Sequence, residues 1–221
     1  MRILYEDKHL LAVLKPPGVA TMGLAPGRLS LLTMARQYIK TRYGKPGKVY
    51  LGVVSRLDVP VSGVVLFART SKAAKRLTEQ FRQRTARKSY WAIVEGRVRP
   101  KAGEYVDWLV RAGRGQTTRV VGQSQDKAKL ARLIYRRLKA TSGVSLLEID
   151  LETGRKHQIR AQLAHRGHPI IGDRRYGSRR CFPAGIALHA RRLVVSHPTT
   201  GEAVEIVAPT PPAWCRFGIR D

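Results

Sequence analysis

One acidic residue, Asp58, lies in a turn-forming segment where its carboxylate could act as a nucleophile. It comes two residues after Arg56 and is followed by Pro60 and Gly63. The nearby guanidinium can hold the carboxylate ionised, and an ionised aspartate is a competent nucleophile toward an electrophilic carbon of a sugar or a base. The same spacing is typical of a structural Asx turn with a salt bridge, and the segment by itself favours this simpler interpretation.

A second segment, residues 151–160, brings three basic side chains to the start of a predicted helix. These are Arg155, Lys156 and Arg160. Backbone N–H groups at a helix N-terminus also favour phosphate, so this segment predicts contact with a phosphate backbone.

Metal ligation is not indicated, although three histidines follow one another closely. His157, His165 and His168 lack the acidic and thiol neighbours that usually complete a metal site. The two cysteines, Cys181 and Cys215, are far apart and form no CxxC pattern. We therefore expect no metal, no disulfide and a reducing compartment.

Charge narrows the choice of partner. The chain carries 42 Lys and Arg against 15 Asp and Glu, a formal net charge of +27. So many like charges repel one another in the compact state, and a bound polyanion or an anionic membrane can offset this repulsion. The longest fully apolar stretch, residues 64–68, is far too short to cross a bilayer, and no secretory signal is present. We expect a cytoplasmic protein that binds nucleic acid and no membrane.

The 221 residues can form one sizeable core, and their patterns alternate between strand and helix. A short helix is predicted at residues 31–38, a second begins at Thr70 or Ser71, and a third follows Gly154. The predicted strands cover residues 3–5, 10–14, 61–68, 90–95, 105–110, 145–151, 188–195 and 203–208. Because no regular βαβ repeat appears, we predict an α+β fold with a mixed, largely antiparallel sheet, in one domain spanning residues 1–221.

Several blocks of this sequence, in order from about residue 3 to residue 214, together resemble the RluA-type pseudouridine synthases. The blocks are Tyr5-Glu6-Asp7, Leu14-Lys15-Pro16-Pro17-Gly18, Arg56-Leu57-Asp58 with Ser62-Gly63, Lys88 to Gly96, Thr153 to Arg160, Gly167 to Asp173, Leu188-His189-Ala190, His197-Pro198 and Thr200-Gly201-Glu202.

The resemblance implies a role for five residues. Asp58 matches the essential aspartate at the target uridine, and Arg160 matches the arginine that pairs with it. Tyr90 matches the active-site tyrosine that stacks on the uracil. Arg56 matches the arginine that fills the gap left by the flipped base, and Ile159 supplies an apolar wall to the pocket.

The resemblance also implies a pseudouridine synthase fold, with a few helices around a central active-site cleft, and no cofactor. Three positions depart from the common pattern, with Ser55 in place of His, Val61 in place of Thr and Lys156 in place of Thr. These departures affect local hydrogen bonding and substrate preference. The N-terminal S4 RNA-binding domain of many relatives is not expected here. We expect a monomer with no obligate protein partner.

The expected activity is that of an RNA pseudouridine synthase that isomerises uridine in structured rRNA or tRNA. Arg155, Lys156 and His157 are expected to contact RNA or the base. Two basic faces are candidate RNA grooves, one with Lys72, Lys75, Arg76, Arg82, Arg84, Arg87 and Lys88 and the other with Arg132, Arg136, Arg137 and Lys139.

Two alternatives remain open. One is a catalytically inactive RNA-binding or RNA-remodelling protein on the same fold, which would need no aspartate, arginine and tyrosine together. The other is a glycoside hydrolase, which needs two carboxylates beside the bond. Only Asp58 and Asp173 could supply them.

Overall fold

The computed structural model describes residues 1–23, 29–112 and 117–219. Within them the chain forms strands with a few interspersed helices, as predicted. The strands are β1 (Arg2–Glu6), β2 (Leu10–Lys15), β3 (Gly52–Val53), β4 (Ser62–Ala68), β5 (Arg87–Glu95), β6 (Ala102–Ala112), β7 (Thr117–Val121), β8 (Lys129–Ala140), β9 (Val144–Leu151), β10 (Leu188–Ser196) and β11 (Ala203–Val207).

The α-helices are α1 (Leu31–Arg42), α2 (Ser71–Gln83) and α3 (Gln158–His165). Two 3-10 helices cover Arg174–Tyr176 and Pro212–Phe217. Within the described ranges, none of the helices combines the length and the hydropathy that a membrane span requires.

The chain divides into two compact units, one of residues 1–87 and 190–221 and the other of residues 88–189. In the first unit the strand order is β1-β2-β4-β10, with β11 beside β10 and β3 beside β4. In the second it is β5-β9-β8-β6-β7, and every neighbouring pair is antiparallel. The predicted α+β class with a largely antiparallel sheet is confirmed, whereas a single domain over the whole chain stays a prediction.

The core of the first unit lies on both faces of β2 and β4. Successive strand residues point to opposite faces, so a strand buried on both must be apolar at every position. Leu10, Ala12, Leu66 and Ala68 pack on the face covered by α2. The residues that alternate with them pack on the face covered by α1, and these are Leu11, Val13, Val65 and Phe67.

Both of these helices begin at a hydroxyl cap. The Ser30 side chain accepts a hydrogen bond from the backbone N–H of Thr33, and Thr70 does the same for Ala73. The cap at Thr70 confirms the predicted start of α2. Helix α1 extends four residues beyond the predicted end at residue 38, because Ile39 is buried in the core and continues its apolar face.

The long strand β8 was not among the predicted elements. Its buried residues alternate as a strand requires, at Ala131, Leu133 and Tyr135. The outward positions carry the apolar Leu130 and Ile134 as well as Arg132 and Arg136, and the two exposed apolar residues hide the alternation in the sequence. Basic side chains on the open face of an antiparallel sheet cost little, since they stay in water.

Gly63 lies where strand β4 passes very close to the backbone of Ala190. Its φ is +124°, and a Cβ there would lie 2.3 Å from the carbonyl oxygen of Ala190. Strand β4 can pass Ala190 this closely only without a side chain at position 63.

Replacing Gly63 with alanine is expected to lower the free energy of unfolding by about 3 kcal/mol or more, since both backbone strain and overlap oppose it. Gly201 is the matched control, because its φ is +81° but a Cβ there meets nothing within 4 Å. Gly201→Ala should cost only about 1–2 kcal/mol of backbone strain. Urea titrations of both variants measure the difference, and equal losses would show that contact with Ala190 is unimportant.

Candidate active site

The segment that carries Asp58 is tied by hydrogen bonds to the loop that follows β2. The Thr21 hydroxyl accepts from the Leu57 backbone N–H at 3.2 Å and donates to the Leu57 carbonyl at 3.1 Å. On the other side of Asp58, the Gly18 N–H donates to the Val59 carbonyl at 2.8 Å. Both neighbours of Asp58 are therefore fixed through their backbone.

A buried lysine reinforces the second of these ties. Lys15 is fully buried, and its ammonium donates to the carbonyls of Pro16, Val19 and Val59 at 2.9, 2.7 and 3.0 Å. Burial lowers the pKa of Lys15 to about 8, and the negative charge of Asp58 acts in the opposite direction. The lysine thus joins two loops through their carbonyl groups and lies within the electrostatic reach of the carboxylate.

Ser55 stands where the resembled family commonly has histidine, and it makes its own link to the sheet. Its hydroxyl accepts from the Leu66 N–H at 2.9 Å and lies 3.5 Å from the Leu66 carbonyl. With serine in place of histidine, the start of the Asp58 segment is therefore still held against β4. Asp58 itself is half-buried, while Arg56 and Val59 are exposed on either side.

In the second unit, Arg160 is held by a buried carboxylate. Its Nε and one terminal nitrogen donate to the two oxygens of Asp173 at 2.6 and 2.8 Å. The two side chains are only 5% and 2% exposed. This two-point geometry fixes the plane of the guanidinium. The pair also leaves Asp173 poorly placed to act as the second carboxylate of a glycoside hydrolase.

The same guanidinium lies over the face of an aromatic ring. The Cζ of Arg160 lies 4.8 Å from the centre of the Tyr176 ring. The Tyr176 hydroxyl accepts from the Thr118 N–H at 2.9 Å and shares a hydrogen bond of 2.8 Å with Nδ1 of His157. Burial raises the pKa of Tyr176, so that its hydroxyl stays protonated at neutral pH.

His157 directly precedes α3 and adopts the left-handed conformation, with φ of 54°. The following Gln158 is buried and closes the loop before the helix. Its side-chain carbonyl accepts from the Thr153 hydroxyl at 2.8 Å and from the Arg155 N–H at 3.0 Å, and its amide donates to the Arg132 carbonyl at 3.0 Å. The loop before α3 is thereby fixed to β8.

The predicted site residues take different positions within their units. Arg155 and Lys156 are exposed, as RNA contacts would require, whereas His157 and Ile159 are buried and Tyr90 is half-buried on β5. Their roles toward RNA stay predictions. Asp58 belongs to the first unit and Arg160 to the second, and the pairing of the two also stays a prediction.

Three residues of these networks escape sequence reasoning. Lys15 continues an apolar strand, which is unusual for a lysine, and it lies in a block that resembles the family, but neither signal shows which groups it holds. Asp173 and Tyr176 follow Arg160 by 13 and 16 residues, and no local spacing rule connects them to it.

Among the described residues, no group of three or more His, Cys, Asp and Glu side chains is arranged to hold a metal ion. Two of the three histidines considered above bond within the second unit, since His157 bonds to Tyr176 and Nδ1 of His168 lies 2.9 Å from the Glu95 carbonyl.

The predicted basic faces are partly neutralised. On β8, Arg132 pairs with Glu104 at 2.8 Å and Arg136 with Glu148 at 2.8 Å. On α2, Arg82 pairs with Glu79 at 2.6 Å. Such pairs reduce the positive charge that these faces offer to phosphate. Their role in RNA binding stays a prediction.

Replacing Asp173 with asparagine is expected to lower the free energy of unfolding by about 3–5 kcal/mol, because it leaves the buried charge of Arg160 without its carboxylate. Glu205 is the matched control, since it holds Arg192 by the same two-point geometry in water. Glu205→Gln should cost at most about 1 kcal/mol. Urea unfolding compares the two, and a cost for Asp173→Asn as small as that of the control would contradict a buried clamp.

Lys15 makes stability depend on pH in a defined direction. Because its pKa is about 8 in the folded protein and 10.5 in the unfolded chain, the unfolded chain binds more protons between these values. The wild-type protein should therefore gain stability relative to Lys15→Met as the pH rises from 8 to 10.5, by about 3 kcal/mol at most.

At pH 7 the Lys15→Met protein should also be less stable, by about 1–3 kcal/mol, since the carbonyls of Pro16, Val19 and Val59 lose their donor. Urea unfolding at a series of pH values measures both effects. A stability difference that shrinks as the pH rises would contradict the lowered pKa.

Comparison with known proteins places the chain in a family. The family described as RNA pseudouridylate synthase matches residues 9–165. The uncharacterized RNA pseudouridine synthase YhcT of Bacillus subtilis is 36% identical over 209 residues, which are 95% of this chain and 68% of the relative. The ribosomal large subunit pseudouridine synthase D of Xylella fastidiosa is 34% identical, covering 97% of this chain and 67% of the relative. The tRNA pseudouridine synthase C of Yersinia pestis is 33% identical, covering 97% and 88%.

A solved structure extends the likeness to the fold. Human RNA pseudouridylate synthase domain containing 4 superposes with a TM-score of 0.82 at 25% identity, over 98% of this chain and 93% of that one. The predicted pseudouridine synthase fold is thus confirmed. The chain belongs to the RluA-type family of RNA pseudouridine synthases, and its reaction class is that of an isomerase.

Proposed function

We propose that this protein converts uridine to pseudouridine in structured rRNA or tRNA, with Asp58 as the essential carboxylate. The observation that carries the proposal is the Asp58 turn, whose backbone is fixed on both sides by Thr21, Gly18 and Lys15. A half-buried carboxylate on a rigid turn suits a reaction that depends on exact placement of one anionic group.

The reaction rearranges bonds within one nucleoside. The bond from ribose carbon 1′ to ring nitrogen 1 breaks, the uracil turns, and a bond forms from carbon 1′ to carbon 5. The proton at carbon 5 leaves and nitrogen 1 gains one. Substrate and product therefore contain the same atoms, and the chemistry consumes neither water nor a redox partner.

Asp58 would meet the developing positive charge at carbon 1′ or attack the nucleoside directly. Tyr90 would stack on the detached uracil, and Ile159 would add an apolar wall that keeps water out. Arg160 would steady the carboxylate as a fixed cation, because Asp173 and Tyr176 already hold its guanidinium in one orientation.

The target uridine must leave its stack before Asp58 can reach it. Extruding a base costs a few kcal/mol, and contacts between phosphates and a strongly basic surface can offset this cost. Arg56 is exposed beside Asp58 and would occupy the space that the base leaves. The relatives named for the ribosomal large subunit and for tRNA support structured rRNA or tRNA as the substrate class.

The direct test is pseudouridine formation in transcripts of the rRNA and tRNAs of the same organism. The wild-type protein should form pseudouridine, and Asp58→Asn should lower the rate more than about 1,000-fold. Its affinity for the RNA should be at least as high as that of the wild type, because the change removes a negative charge.

The matched control is Asp126→Asn, which removes an exposed carboxylate from a turn in the second unit. It should retain the full rate. RNA binding by the wild-type protein without any product on rRNA or tRNA would instead support the RNA-binding alternative, and full activity of Asp58→Asn would remove Asp58 from the mechanism.

A further inference from the structure

A groove in the first unit lies between one face of α1 and the segment 46–50. Its volume is about 810 Å³, within the range of about 300–1,000 Å³ that is typical of ligand-binding clefts. One wall is formed by Thr33, Arg36, Gln37 and Lys40. These residues follow the i, i+3, i+4, i+7 spacing of a single helix face, so their side chains form one continuous surface.

The opposite wall is anchored in the core. Val49 is 9% exposed and packs in the same apolar cluster as Ala35 and Ile39 of α1. Lys48 and Tyr50, on either side of Val49, are both exposed and line the groove. The alternation of the segment thus buries one side chain and presents its two neighbours to solvent.

The groove is positively charged, and no acidic residue lies near it in the sequence. Residues 8–57 contain no Asp or Glu. Within the part of the chain that the structure describes, Arg36, Lys40 and Lys48 form no ion pair. In this respect they differ from Arg132, Arg136 and Arg82 on the predicted basic faces, which are paired with glutamates. Their charges are therefore available to an anion.

Tyr50 adds an aromatic surface to these cations. Tyr50 is one of the large hydrophobic residues that remain exposed, and its exposed fraction is 50%. Single-stranded nucleic acid is bound by this combination, because cations follow the phosphates while a base stacks on the ring. A membrane would require a larger apolar face beside the cations.

We propose that the groove formed by Arg36, Lys40, Lys48 and Tyr50 is an RNA-binding site that holds a single-stranded segment of the substrate, apart from the segment that carries Asp58. The three cations contact phosphates and Tyr50 stacks on a base. The proposal rests on the proposed function for the identity of the RNA. The groove contributes affinity, and it contributes no group to the reaction.

The test compares two triple variants with the same change in charge. Arg36→Gln, Lys40→Gln and Lys48→Gln together remove the groove cations. Lys8→Gln, Lys101→Gln and Arg216→Gln remove one arginine and two lysines that are exposed elsewhere. Affinity for the rRNA or tRNA transcript is measured by fluorescence anisotropy at several salt concentrations, together with KM, kcat and the melting temperature.

The groove triple should weaken RNA binding about tenfold or more and lower the slope of log affinity against log salt by about 2, because three single-strand phosphate contacts are lost. KM should rise while kcat stays the same. The control triple should show a clearly smaller loss. Equal losses in the two triples, or wild-type affinity in the groove triple, would overturn the proposal.

Tyr50 is tested separately. Tyr50→Ala should weaken binding roughly 5- to 150-fold, while Tyr50→Phe, which keeps the ring, should bind like the wild type. Equal binding of all three would remove stacking from the proposal. Wild-type protein that binds poly-glutamate as tightly as RNA would show a surface for anions in general and would overturn the assignment to RNA.

These results separate the two proposals. An inactive wild-type protein whose RNA affinity still depends on the groove would contradict only the proposed function. An active protein whose groove variants keep wild-type affinity and KM would contradict only the groove.

Discussion

A fully buried ammonium group, that of Lys15, donates to three carbonyl oxygens, one of which belongs to Val59 beside Asp58. A buried charge is tolerated only where its donors are satisfied, so these carbonyls must stay together. The loop after β2 and the Asp58 turn therefore keep one arrangement, which the bonds between Thr21 and Leu57 reinforce. The placement of the proposed reactive carboxylate depends on this arrangement.

The second unit uses the same principle with the charges reversed. A buried carboxylate, Asp173, holds the buried guanidinium of Arg160, and the Tyr176 ring covers it. Two functional candidates thus lie beside a buried charged group: Lys15 fixes the backbone next to Asp58, and Asp173 fixes the guanidinium of Arg160. Charges fixed in advance need no reorganisation when a transition state forms, which is how preorganised sites lower a barrier.

Local patterns predicted most of the elements of the first unit, because residues 10–14 of β2 and 64–68 of β4 are all apolar and α2 starts at a hydroxyl cap. They did not predict β8, because Leu130 and Ile134 on its open face are apolar like the buried residues beside them. The family blocks led to the correct fold, and they also predicted Asp58, Tyr90 and Arg160 as site residues, which stays a prediction. The contacts that Lys15, Asp173 and Tyr176 make could not be predicted, because they join segments that meet only through tertiary packing. The groove beside α1 was missed because its two walls meet only in the folded chain.

Because Asp58 is proposed as the essential carboxylate, a map of pseudouridines in cellular rRNA and tRNA tests its role most directly. The map is compared between cells with the wild-type gene, cells without the gene and cells whose gene encodes Asp58→Asn. We expect at least one pseudouridine that is present with the wild-type gene and missing from both other strains. The same map in all three strains, or a full map in the Asp58→Asn strain, would contradict this role.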